Sequence, residues 1–275
     1  FATFSASANL INNASFETTP VVDSYAYADW NVVAQSWDVV KASGKGYSWA
    51  VFSIIPGWQT FYGSGIELHA SGTLETTLQN PVNAVDGDTY VEMDTHFALA
   101  QPGYSNSGIF QQISGLMNGS YYDLSFWYRA RTTLENDNIL NVYWSDPATT
   151  LTQSNYINRY DYSSTQNNHE NWVQYTMRLK ATGSSMLLGF GGDGNASWAK
   201  AETINGSGKG AAIDALNLEV VSAPATAFLF SLGLAALAFG RRQLFLQAFQ
   251  APLQPFACTL RGFILCLKLI IEVGL

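Results

Sequence analysis

Tyr121-Tyr122-Asp123-Leu124-Ser125-Phe126-Trp127-Tyr128-Arg129-Ala130-Arg131 is the stretch whose pattern decides the fold class. Side chains alternate between the two faces of an extended chain. Tyr122, Leu124, Phe126 and Tyr128 therefore share one face, and Asp123, Ser125, Trp127 and Arg129 share the other. An Asn118-Gly119 turn signal precedes it. Residues 172–181 repeat the pattern, with Val173, Tyr175, Met177 and Leu179 inward and Gln174, Thr176 and Arg178 outward. Further strands are expected over residues 65–71, 89–95, 108–114, 139–145, 185–190 and 212–221, with turns at Asp86-Gly87 and Asn205-Gly206. No helical period of useful length occurs before residue 224. The pattern predicts an all-β body over residues 9–221, built as a two-sheet sandwich or jelly roll.

Composition agrees. A chain of 275 residues with 47% hydrophobic and 14% aromatic residues has ample material for a core. Ser, Thr, Asn, Gly, Trp and Tyr dominate over the 12% charged residues, as in short strands joined by polar turns, which argues against disorder. Residues 1–240 hold 20 of the 21 acids and 9 of the 13 bases. An acidic body argues against nucleic acid as a partner, because phosphate binding needs Lys and Arg clusters. Both cysteines, Cys258 and Cys266, lie in the C-terminal tail, so the body has no disulfide framework. Residues 1–8 read either as an N-terminal arm or as a residual signal, Ala6-Ser7-Ala8 having the small-residue pattern of a signal-peptidase site.

Residues 220–240 are uncharged and contain Phe228-Leu229-Phe230 and Leu232-Gly233-Leu234-Ala235-Ala236-Leu237, followed at once by Arg241-Arg242. That run has the length of a bilayer-spanning helix, and the arginines mark its inner flank. The string Val221-Ser222-Ala223-Pro224-Ala225-Thr226, the apolar run and the arginine pair together resemble the PEP-CTERM sorting signals of Gram-negative bacteria. Pro224 matches the second proline of that motif, while Ser222 and Ala223 stand where its Pro and Glu would be. The resemblance implies an exported protein, held in the membrane through residues 220–242 by one C-terminal transmembrane helix and handled by a sorting peptidase. Residues 222–242 form the sorting segment, and residues 243–275 are a tail without an assigned role.

A second resemblance spans the body. Asn9-Leu10-Ile11-Asn12-Asn13-Ala14-Ser15-Phe16-Glu17 is similar to the opening motif of galactose-binding-domain-like sandwiches. Ile55-Pro56-Gly57-Trp58, Gly65-Ile66-Glu67-Leu68, residues 86–94, residues 107–112 and Ile213-Asp214-Ala215-Leu216 follow in the order seen there. The resemblance implies a β-sandwich often used as a carbohydrate-binding module, and a structural calcium held by Glu17 and Asp214. Asp214 shares strand parity with Leu216 and Leu218 and is expected to face the core, where a carboxylate needs either a cation or backbone amides.

Sugar recognition asks for aromatic faces beside amides, carboxylates or arginine. Outward Trp127 and Arg129, outward Asn141 and Tyr143, and loop residues Trp58 and Tyr62 supply those types. Each tryptophan also has a structural reading, Trp127 packing beneath a loop and Trp58 plugging a sandwich end. Catalytic signatures are absent from the sequence. His69, His96 and His169 stand apart without a metal-binding motif, and no Gly-x-Ser-x-Gly elbow occurs. Residues 189–194 are glycine-rich but open no helix, so they read as a hairpin loop rather than a phosphate cradle. Glu67, Glu92 and Asp94 alternate with apolar residues, as solvated strand faces do. A glycosidase pair is defined by spacing in three dimensions. The expectation is a non-catalytic envelope or matrix protein that binds exopolysaccharide. The alternatives are a polysaccharide lyase or glycosidase on a jelly roll and a purely structural adhesion protein.

Overall fold

In the computed structural model, residues 8–18, 25–28, 49–52, 54–63, 65–74, 81–95, 106–169, 171–194 and 210–221 are described. The chain divides into two units, residues 1–221 and 222–275. The expected C-terminal helix lies outside the described residues. Among those residues, no helix is long and apolar enough to cross a membrane.

Among the described residues fifteen strands form in order: β1 (Tyr25–Ala28), β2 (Trp49–Phe52), β3 (Ile54–Ile55), β4 (Trp58–Tyr62), β5 (Ile66–Ala70), β6 (Thr73–Leu74), β7 (Pro81–Val82), β8 (Thr89–Glu92), β9 (Gly108–Ser114), β10 (Tyr121–Arg129), β11 (Leu140–Ser145), β12 (Asn158–Tyr160), β13 (Val173–Lys180), β14 (Ser185–Gly192) and β15 (Ala212–Val220). A seven-stranded sheet runs β1-β2-β5-β8-β15-β10-β13, and a six-stranded sheet runs β12-β11-β14-β9-β4-β3. Neighbours within both are antiparallel. One core is shared between them. Leu124, Phe126 and Tyr128 of β10 and Leu68 of β5 meet Ile109 of β9, Val142 of β11 and Phe190 of β14. The body is thus an all-β sandwich, as the alternation in residues 121–131 requires.

The segment 9–17 closes one end of this core. Asn9 takes the place of a strand neighbour: its Nδ2 donates to Leu216 O at 2.8 Å and its Oδ1 accepts from Leu218 N at 3.0 Å. Asn13 and Phe16 adopt left-handed backbone (φ 49° and 60°), which folds the segment so that Phe16 is buried. Trp58, expected on a loop and available to ligand, instead begins β4 and is 0% exposed. Its ring packs against Phe16 and Phe190, and its Nε1 donates to Asn13 O at 3.1 Å. A tryptophan whose single donor is satisfied internally and whose faces are both covered is a core residue.

Of the three register shifts among the described strands, at Tyr25/Tyr27, Ser125/Trp127 and Thr60/Tyr62, the last two reset the faces of the candidate sites. Between β10 and β15 the register passes from Ser125↔Asn217 to Trp127↔Asp214, giving β15 one extra residue there. Ala215 takes a left-handed conformation (φ 48°) at this point. Leu216, Leu218 and Ile213 face the core, and Asp214 is turned to the outer face, against the parity expectation. The second bulge lies in β4, where Thr60↔Ile109 is followed by Tyr62↔Gly108.

Candidate functional site

Six candidate ligand residues and two candidate metal ligands separate into distinct places. Tyr62, Asn141 and Tyr143 come together on the outer face of the six-stranded sheet. One row across that face reads Arg159 (β12), Asn141 (β11), Gly191 (β14), Gly108 (β9) and Tyr62 (β4). The next contains Tyr143, Gly189, Phe110 and Gln59. The extra residue of the β4 bulge puts Phe61 and Tyr62 on this same side. The Tyr62 ring lies across the glycine floor: a Cβ at Gly108 or Gly191 would collide with it. Its hydroxyl donates to Gly192 O at 2.7 Å. The glycine run at residues 189–192 is therefore strand rather than the expected hairpin loop, since it clears space for a ring from across the sheet.

Phe61, Tyr62 and Phe110 are half-buried, and Phe61 meets Tyr62, Phe110 and Tyr143 edge-on, with centroids 4.7, 6.0 and 5.1 Å away. Exposed Gln59 and Gln112 flank them, and exposed Arg159 pairs with Asp193 at 2.7 Å. Asn141 and Tyr143 do face away from the main core, as expected, but both are buried. Leu151 packs on Tyr143, whose hydroxyl donates to Gln153 O at 3.2 Å. Asn141 lies beside that hydroxyl, yet neither of its amide atoms forms a hydrogen bond of good geometry. Burial and then the neighbouring Tyr143 push the Tyr62 phenol well above its ordinary 10.0, so it stays protonated.

Trp127 and Arg129 stand on the outer face of the other sheet. Asp123, Arg178 and Glu219 form one row across β13, β10 and β15, and Ser125, Thr176 and Asn217 the next. These rows, with Gln174, line an open depression of about 570 Å³. Half-buried Trp127 is the cross-strand neighbour of Gln174. Arg129 is not displayed to a ligand: it is buried, and its Nε donates to His169 O at 3.1 Å.

The same face carries a buried group that the sequence did not disclose. Glu67 and Glu92 were expected on solvated faces and His69 to stand apart, but all three are buried together. His69 Nε2 lies 2.9 Å from Glu67 Oε1 and 2.8 Å from Glu92 Oε2, and Arg131 Nη1 pairs with Glu92 Oε2. Burial opposes a charge on His69, but the bonds to Glu67 and Glu92 outweigh it and raise the imidazole to about 9. Burial likewise opposes ionisation of Glu92, yet Arg131 and His69 lower it to about 2, while burial raises Glu67. Asp94 too is buried. Cross-strand pairing, Glu67↔Glu92 and His69↔Tyr90, creates the cluster.

Glu17 and Asp214 meet a common turn. Asp88 N donates to Glu17 Oε1 at 2.8 Å, while Val85 N and Asp86 N donate to Asp214 Oδ2 at 2.6 and 3.0 Å. Ala215 N reaches Asp214 Oδ1 at 2.6 Å. Burial raises Asp214 to about 7 against these amides. The two carboxylates are the hard oxygen donors that calcium takes, and Asp214 Oδ1 retains a lone pair beyond its amide bond. Four backbone amides already bond these two carboxylates, so amide capping meets part of the need that such an ion would serve.

No protein-family model and no curated protein matches the sequence. Among solved structures, a CBM4 structure is 18% identical, with 77% of this chain and 99% of that chain covered and a TM-score of 0.37. A CBM61 module in complex with β-1,4-galactotriose is 11% identical, with 78% and 100% covered and a TM-score of 0.36. An arabinose-bound GH51 α-L-arabinofuranosidase is 12% identical over 78% of this chain but only 26% of that one, with a TM-score of 0.37. Scores this low assign neither a family nor a ligand.

Proposed function

We propose that this protein is a non-catalytic glycan-binding protein whose ligand lies on the outer face of the six-stranded sheet. The observation that carries this reading is the aromatic shelf of half-buried Phe61, Tyr62 and Phe110 bordered by the exposed amides of Gln59 and Gln112. Sugar rings offer C–H faces that stack on aromatic rings and hydroxyls that pair with amides. On this reading the body is exported and presented at the cell envelope, its ligand is an exopolysaccharide, and residues 220–242 serve membrane sorting. Glu17 and Asp214 hold a structural calcium that braces the turn at residues 84–88.

The test is a glycan array followed by calorimetry on the full-length protein with calcium present. Selective, saturable binding is expected, weakened at least about tenfold, or about 1.4 kcal/mol, by Phe110→Ala and by Gln112→Ala. Trp127→Ala, on the opposite sheet, leaves affinity unchanged. Folded protein that binds no glycan would sink the reading. Loss of binding in Trp127→Ala alone would move the site to the polar depression. Shortened products from a bound polysaccharide would establish an enzyme instead.

A further inference from the structure

Glu67, His69 and Glu92 lie on the opposite sheet from the proposed glycan shelf and play no part in that reading. Glu67, His69 and Glu92 each offer one ligand atom, these atoms all lie within 4.8 Å of one another, and the residues are 5%, 2% and 0% exposed. We propose that these three atoms form a binding site for a divalent first-row cation, zinc being the best fit.

The geometry around Nε2 favours an ion over a proton. One ring nitrogen faces carboxylate oxygens from two strands at 2.9 and 2.8 Å. A single N–H can point straight at only one of them, whereas a metal ion accepts all three donors at once. The other ring nitrogen, Nδ1, is buried with no hydrogen-bond partner. An imidazolium would leave a charged N–H unpaired there; an imidazole bound through Nε2 leaves only a neutral one, which costs less.

The frame is rigid. β5 and β8 are interior strands of the seven-stranded sheet, and Glu67 stands directly opposite Glu92. The His69 ring is stacked on Tyr90, with centroids 5.1 Å apart and planes at 25°, which holds Nε2 between the acids. Arg131 hydrogen-bonds Glu92 Oε2, acting as the outer partner that metal-binding carboxylates usually have. One nitrogen and two oxygens suit zinc, with a fourth position open, better than the all-oxygen ions magnesium and calcium. Bonds of about 2.0–2.1 Å would set the donors about 3.3 Å apart, so the two nitrogen–oxygen distances of 2.9 and 2.8 Å open by about half an ångström on binding.

The test uses full-length protein stripped with a chelator, carrying Cys258→Ser and Cys266→Ser to remove competing thiolates. One zinc per chain is expected by elemental analysis, with a melting temperature several degrees higher in zinc than in chelator. Glu67→Gln and His69→Gln should abolish both effects. X-ray absorption at the zinc edge of the protein with His69 intact should show nitrogen and oxygen neighbours. This readout holds even where a variant fails to fold. Folded protein that takes up no zinc, or the same uptake in folded His69→Gln, overturns the proposal and leaves Nε2 holding a proton.

Discussion

Gly191 shows how one missing side chain organises the proposed site. A Cβ there would meet the Tyr62 hydroxyl and ring, and at Gly108 it would meet the rings of Tyr62 and Phe61. Gly191→Ala should cost about 1–3 kcal/mol through overpacking, read as a lower midpoint in urea. Because the added methyl displaces Tyr62, the same variant should also weaken glycan binding, whereas a substitution that merely lowers stability would leave the affinity of the folded fraction intact. Trp58 shows the opposite limit. Its residue type allowed both a sugar platform and a core plug, the plug being the commoner role, and the positions of Phe16, Phe190 and Asn13 O decide for the core.

At the scale of elements, most strands were legible. The expected strands over 108–114, 139–145 and 185–190 match β9, β11 and β14 closely, and these three pair with one another without a register shift. The other seven, β1, β2, β3, β4, β6, β7 and β12, carried no strand expectation, each being five residues or fewer. The bulge in β15 defeated parity counting. A strand carries no local mark of its extra residue, and Ala215 is not a residue type that advertises left-handed backbone. Its consequence is an outward Asp214 held by three amides. Asp214→Asn would turn one acceptor toward those amides as a donor and should cost about 1–3 kcal/mol. Thermal melts in calcium and in chelator separate the two roles: calcium should raise the midpoint of the parent protein and leave that of Asp214→Asn unmoved. Equal midpoints in the parent would assign Asp214 to amide capping alone.

Across the whole molecule, burial of tyrosine links stability to alkaline pH. Burial first, with Tyr143 for Tyr62 and Asp161 for Tyr128 as further causes, holds both phenols well above their ordinary 10.0. These groups are raised in the folded state, so their contribution is fully present below pH 10. Above it the unfolded chain loses protons that the folded chain keeps, and stability declines. Denaturant midpoints should therefore fall as pH rises past 10, with a shallower fall in Tyr62→Phe; an equally steep fall in that variant would remove Tyr62 as a cause. The sequence by itself determined the all-β class, the inward set Leu124, Phe126 and Tyr128, and the acidic, cysteine-free body, since alternation and composition are local and additive properties. Only the tertiary structure decided which polar residues meet. Glu67 and His69 find Glu92, and Tyr62 finds Asn141 and Tyr143, through antiparallel register across strands distant in sequence. That register is set by the packing of the shared core, which no single strand encodes.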